Sequence, residues 1–275
     1  MTLNNKNISY QASFLLKELH EKNLLCFSIE TAYNILKNSN RGAVKKLLSD
    51  MTKRGLLMRV KEGLYYVIPY EQASETFMPD WHLLAQYIVG YTDYYIGYFS
   101  ALQLLSLTTQ AGLREQVVVN KQIKPSVLKV KEVAFQFIYH NKMHFFGSKK
   151  TWIDSYNKVY CSDLEKTIID CLFKPKYAGG ITEITKAIFK AKENIDFQKL
   201  LDYTIKFNSQ AVIKRLGFIL ELLKIETPII EILQSMRSNS FVLLEPDYPK
   251  EGKTIFRWAI QQNIDNNSIL LPIYS

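Results

Sequence analysis

Between residues 39 and 61 the chain places a run of groups able to meet phosphates and base edges. Ser39, Asn40, Arg41, Lys45, Lys46, Ser49 and Lys53 lie on a stretch that reads as one helix, with Arg59 and Lys61 just beyond it. Val44, Leu47, Leu48 and Met51 recur at i, i+3, i+4 and i+7 on the same stretch, so its apolar stripe points inward and its basic residues outward. Arg41 falls in the first turn, where a recognition helix meets base edges, and Lys45, Lys46 and Lys53 are placed for phosphates. Arg59 and Lys61 would reach the backbone or the minor groove.

Other chemistry is poorly represented. His140 and His144 stand at a spacing that suits a metal pair only on a helix. Their neighbours read as strands, so a surface hairpin turn is expected and no metal. Asp163, Glu165 and Asp170 near Lys166 invite acid–base chemistry, but Ser162-Asp163-Leu164-Glu165 reads as a capping box, with Ser162 as N-cap and Glu165 at N3. Gly179-Gly180 lacks the rest of a phosphate-binding loop, and no nucleophile elbow, C-x-x-C or H-E-x-x-H is present. Cys26, Cys161 and Cys171 are odd in number and scattered, the pattern of reduced, buried thiols. The tyrosines between Tyr87 and Tyr98 read as core. No cofactor is expected, and the protein is expected not to be an enzyme.

The elements that must position the basic helix can be read around it. One helix is expected from about Ser9 to Lys22 and a second capped by Ser28. The basic helix follows, capped by Ser39 or Asn40 and ended by Gly55. Strands at Leu56–Val60 and Leu64–Ile68 then form a hairpin with Lys61-Glu62-Gly63 at its tip. This is the order of a winged helix-turn-helix, assigned to residues 1–70. Residues 71–80 read as a linker. Residues 81–275 read as a larger mixed domain: β-rich over 116–160, helical over 162–224, with strands over 241–275. The fold class is α+β.

Composition agrees. The chain has 275 residues, 47% of them hydrophobic, and a net charge of +9. Residues 1–70 hold eleven Lys and Arg against five Asp and Glu, a balance of +6, so most of the excess lies in a quarter of the chain. Such a concentration favours a polyanionic partner. No run of about 18 apolar residues marks a membrane span. The first residues, MTLNNKNISYQ, do not read as a signal peptide, so a cytoplasmic location is expected.

Four segments carry a family resemblance: YYIGYFSALQLLSLTTQ (94–110), SDLEKTIIDCLFKPKYAGGITEITKAI (162–188), AVIKRLGFILELL (211–223) and LLEPDYPKEGKTIFRWAIQQNI (243–264). Together they are similar to the AbiEi-type antitoxins of type IV toxin–antitoxin systems, also described as transcriptional regulators of viral-defence loci. The resemblance spans nearly the whole chain, although the first 30 residues share only the pattern. It implies a repressor that binds inverted repeats in its own promoter. It also implies an antitoxin that counters an AbiEii-type nucleotidyltransferase toxin, without requiring a stable complex. The matching positions include Ser100, Asp163, Glu165, Lys166, Thr167, Asp170, Gly179, Gly180, Arg215, Leu216 and Gly217. Lys166, Lys214 and Arg215 are the candidates for an antitoxin interaction face. The rival readings are a regulator whose large domain senses a small ligand, and a nucleic-acid-processing enzyme with a DNA-binding head.

Overall fold

A computed structural model describes residues 8–37, 40–110 and 112–274. The chain is mixed α+β and divides into two compact units, residues 1–90 with 130–132, and residues 91–129 with 133–275. The division falls at Gly90, so residues 71–80 and the helix after them belong with the first unit. The segment read as a linker is therefore internal to that unit.

The first unit runs α1 (Tyr10–Glu21), β1 (Cys26–Ser28), α2 (Ile29–Ile35), α3 (Arg41–Lys53), β2 (Leu57–Lys61), β3 (Leu64–Val67) and α4 (Trp81–Val89). Its helix starts follow from short polar side chains that satisfy otherwise orphaned backbone N–H groups. Ser9 Oγ accepts from Ala12 N, Ser28 Oγ from Thr31 N, and Asn40 Oδ1 from Ala43 N at 2.7 Å. Ser39, the other cap considered for α3, lies outside the described residues. At the far end of α3, Leu56 N donates to Met51 O and Gly55 N to Thr52 O, closing the helix. β3 is the central strand of an antiparallel sheet in the order β1-β3-β2. Gly63, at the β2–β3 tip, has φ +72°. Ala12, Leu15 and Leu19 of α1, Ala32 of α2, and Val44, Leu48 and Met51 of α3 meet Phe27, Leu57 and Tyr65 in one core. Phe14, on the other side of α1, is exposed.

The second unit runs β4 (Tyr94–Ile96), α5 (Tyr98–Leu104), β5 (Arg114–Val119), β6 (Val127–Val130), β7 (Val133–Tyr139), β8 (Ser148–Trp152), β9 (Lys158–Ser162), α6 (Leu164–Phe173), α7 (Gly180–Ala191), α8 (Phe197–Phe207), α9 (Gln210–Leu222), α10 (Ile229–Met236), β10 (Val242–Leu243), β11 (Lys253–Ile255), β12 (Ile260–Gln262) and α11 (Asn266–Tyr274). The six-stranded sheet has the order β6-β7-β5-β4-β9-β8. Tyr95 pairs with Val118 and Val118 with Ile138, so these three share a face. They join Ile168, Leu172, Ile184, Phe207 and Leu216 of the helices in one core. The C-terminal stretch, expected as strands throughout, closes with α11.

Within that core, α9 carries Gly217 because Trp258 lies directly on it. A Cβ built at Gly217 would stand 2.1 Å from Trp258 Cη2, and Trp258 is fully buried. Ala in place of Gly inside a helix normally gains about 1 kcal/mol. Here the ring has nowhere to go, and overpacking costs ~1–3 kcal/mol. Gly217→Ala is therefore expected to destabilise the protein by about 1–2 kcal/mol in urea unfolding. An increase in stability would refute the close contact.

Candidate nucleic-acid interface and the buried polar network

The two faces of α3 are cleanly separated. Val44, Leu48 and Met51 are buried, while Arg41, Lys45, Lys46, Ser49 and Lys53 are exposed. Among the described residues Lys45, Lys46 and Lys53 have no ion-pair partner, which leaves their full charge to an incoming anion. The Arg41 guanidinium sits 5.3 Å over the Tyr33 ring, so α2 holds it at the start of the helix. Asn40, exposed at the same end, commits its carbonyl oxygen to capping.

The hairpin contributes less than its sequence suggested. Arg59 is exposed on β2, but the Lys61 ammonium donates to Ile88 O at 2.7 Å within the same unit. Lys61 is tied to the end of α4 and is not a free cation at the hairpin tip.

Lys166, Lys214 and Arg215, expected as an interaction face, are all buried. Arg215 braces two elements: Nη1 donates to Leu172 O at 2.7 Å, and Nη2 and Nε donate to Leu243 O at 2.8 and 3.2 Å. Burial lowers this guanidinium to about 10, against the pull of Glu245. Lys214 donates to Ser240 O and, at 3.0 Å, to Ser238 Oγ, holding the segment after α10 against α9. These cations satisfy backbone carbonyls in the interior and present no surface.

Lys166 stands at the centre of a buried polar cluster. Its ammonium pairs with Asp170 Oδ1, one turn on along α6, and donates to Tyr95 Oη at 2.9 Å. Tyr95 Oη donates to Asp170 Oδ2 at 2.9 Å. His140 Nδ1 lies 3.3 Å from Tyr95 Oη, and His140 Nε2 lies 2.8 Å from Tyr98 Oη. Because the Tyr95 hydroxyl proton goes to Asp170, the consistent tautomer has His140 donating from Nδ1 and accepting from Tyr98 at Nε2. The rings of Phe146 and Phe207 lie 5.1 Å from the Lys166 ammonium. The sequence expectation of a surface turn at His140 fails, because His140, the residue after β7, is 1% exposed and bonded to Tyr95 and Tyr98.

The rest of the acidic run is also structural. Asp163, and not Ser162, caps α6, accepting from Lys166 N at 3.0 Å. Ser162 is taken up by β9 and by a 2.7 Å bond with Thr167 Oγ1. Glu165 reaches forward to Asp196 N at 3.1 Å, and Lys199 bridges Asp163 and Glu165 at 3.0 and 2.8 Å. All three cysteines are free and buried, and burial pushes the Cys26 and Cys161 thiols up to about 12. Neither supplies a thiolate near neutral pH. Among the described residues no group of three or more His, Cys, Asp or Glu could hold a metal, and no helix is long and apolar enough to cross a membrane.

No family model matches this chain, and no curated protein does. Among solved structures it is similar to the crystal structure of the RV2827C protein from Mycobacterium tuberculosis. The TM-score is 0.70 at 12% identity, covering 94% of this chain and 92% of that one. At that identity the likeness shows a shared fold across both units.

The cluster makes two outcomes measurable. Burial works against both charges of the pair, raising the Asp170 carboxyl and lowering the Lys166 ammonium, and the charge of each partner opposes the other's shift. Asp170→Asn strands the ammonium, and we expect a loss of ~3–5 kcal/mol in urea unfolding. Adding Lys166→Met to that variant should recover part of it, and no recovery would contradict the pairing.

Burial, followed by the Lys166 and Lys174 charges, lowers His140 from 6.5 to about 2. Above pH 6.5 both folded and unfolded chains hold a neutral imidazole, and its contribution is complete. Below 6.5 only the unfolded chain gains the proton, so stability falls by about 1.4 kcal/mol per pH unit. Between pH 6 and 5 the unfolding free energy should fall less steeply in His140→Gln than in the parent. Equal slopes would count against a buried neutral His140.

Proposed function

We propose that the first unit is a winged helix-turn-helix that binds the promoter of its own operon, and that the second unit is the antitoxin half of a type IV toxin–antitoxin pair. The observation that carries the first part is the segregation on α3: three buried apolar residues on one side, and Arg41, Lys45, Lys46, Ser49 and Lys53 exposed on the other. A two-strand hairpin with exposed Arg59 follows at once, the order in which a recognition helix and a wing occur. Arg41 reads base edges from the first turn. Lys45, Lys46 and Lys53 neutralise phosphates and release counterions, which sets the affinity and its salt dependence.

Support for the second part is the resemblance of four segments to AbiEi-type antitoxins, and the structure adds a reason for their pattern. Spread from residue 94 to 264, they meet in one interior. Tyr95 bonds Lys166 and Asp170, Arg215 bonds Leu172 and Leu243, Gly217 admits Trp258, and Ile181 N donates to Glu245 at 2.7 Å. The shared residues are those that build the unit. In this reading the counteracted protein is a nucleotidyltransferase toxin encoded beside the chain, and the protein acts in the cytoplasm.

The test uses the full chain. Arg41→Ala/Lys45→Ala/Lys46→Ala should weaken binding to the upstream promoter about 100-fold. It should also reduce the slope of log affinity against log salt by about 2, without changing thermal stability. Co-expressed with the adjacent gene, the same variant should still restore growth. Unchanged promoter affinity would refute the α3 assignment, and failure of the parent chain to restore growth would refute the antitoxin assignment.

A further inference from the structure

The β8–β9 hairpin carries a second basic surface. β8 is the last strand of the six-stranded sheet and pairs only with β9. The antiparallel register sets Lys150 opposite Tyr160 and Trp152 opposite Lys158. These are alternate positions on both strands, so all four side chains share one face of the hairpin. Trp152 is 59% exposed, Tyr160 43%, and Tyr156 in the connecting turn 90%.

Charge and ring are interleaved on this face. Lys158 Nζ lies 3.9 Å over the Trp152 ring and Lys150 Nζ 5.7 Å over the Tyr160 ring. Lys149, Lys150 and Lys158 have no carboxylate partner among the described residues. The hairpin's single acid, Asp154, is used by its own turn: it accepts from the N–H groups of Tyr156 and Asn157, both at 2.7 Å, and from Asn157 Nδ2 at 2.8 Å. The turn is thereby fixed with Tyr156 exposed at its tip, and Asp154 is the hairpin's one negative charge against three lysines.

Lysines on an edge strand discourage strand addition from other molecules, and this accounts for Lys149 and Lys150. It does not account for three exposed aromatic rings beside them. Rings stack on flat π faces and lysines attract phosphates, and a ligand that offers both together is a strand of unpaired nucleotides. A duplex hides its base faces and would meet only the lysines.

We propose that the β8–β9 hairpin binds unpaired single-stranded nucleic acid. Bases stack on Trp152, Tyr160 and Tyr156, and phosphates run along Lys150 and Lys158. This site is independent of promoter binding by α3.

The test is fluorescence anisotropy on the full-length protein with labelled oligo-uridine, oligo-deoxythymidine and a duplex, each about 16 nucleotides long. Single strands should bind more tightly than the duplex. Trp152→Ala and Tyr160→Ala should each weaken single-strand binding about tenfold. Lys150→Ala/Lys158→Ala should lower the salt slope by about 1.4. A preference for the uridine or the thymidine strand identifies RNA or DNA as the source of that strand. Thermal melts of Trp152→Ala and Lys150→Ala/Lys158→Ala should match the parent, because these side chains are exposed. Four results would overturn the proposal: no single-strand binding, affinity unchanged in both aromatic variants, equal binding of the duplex, or loss of single-strand binding in the α3 triple variant alone.

Discussion

Lys166 and Asp170 lie four residues apart on α6 with no solvent access to either, and the interior of the second unit is organised around that pair. Removing two charges from water is expensive, and only close pairing with full hydrogen bonding offsets it. Here the remaining valences are met by Tyr95, and Tyr95 is linked through His140 to Tyr98. The pair thus dictates where β4, α5 and the end of β7 stand relative to α6. Its net stabilisation over an apolar replacement is small, but neither partner can be exchanged alone without leaving the other uncompensated. Arg215 extends the same logic from α9 to the C-terminus of α6 and to β10.

This accounts for a division of labour along the chain. In the second unit the distinctive charged residues are turned inward and hold elements together. In the first unit the charged residues of α3 do no internal work beyond the Arg41 contact with Tyr33, and their number exceeds any local need. Unpaired surface cations on one face of a rigid helix raise self-repulsion unless a polyanion neutralises them. The residues that carry the family resemblance and the residues proposed to bind DNA are consequently different sets.

The three helices and the hairpin of the first unit were legible in the sequence because their signals are local, whereas β1 and the extension of the unit to Gly90 were not. Ser9, Ser28 and Asn40 cap the N–H groups three residues on, the α3 stripe repeats at helical spacing, and Gly55 and Gly63 mark the ends of elements. The second unit was legible as α+β but not in its interior. Lys166 and Asp170 at i, i+4 look like an ordinary surface pair. The one signal against that reading was the apolar run Ile168, Ile169, Cys171 and Leu172, which leaves α6 no solvent face. His140 carried no such signal, since its burial depends on Tyr95, Tyr98 and Asp170 arriving from elsewhere in the chain. Ser162 lost its expected capping role to Asp163 because pairing within β9 continues one residue further. Lys61 was misread because its partner, the Ile88 carbonyl, lies 27 residues away.

The central proposal, that promoter-binding charge sits on α3 while the buried charges Lys166, Lys214 and Arg215 of the second unit are structural, can be tested by lysine acetylation footprinting. The native protein would be modified with and without promoter DNA and the sites read by mass spectrometry. Lys45 and Lys46 should react readily in the free protein and be protected in the complex. Lys166 and Lys214 should remain unreactive in both. Persistent reactivity of Lys45 and Lys46 in the complex, or ready modification of Lys166 in the native protein, would contradict the account.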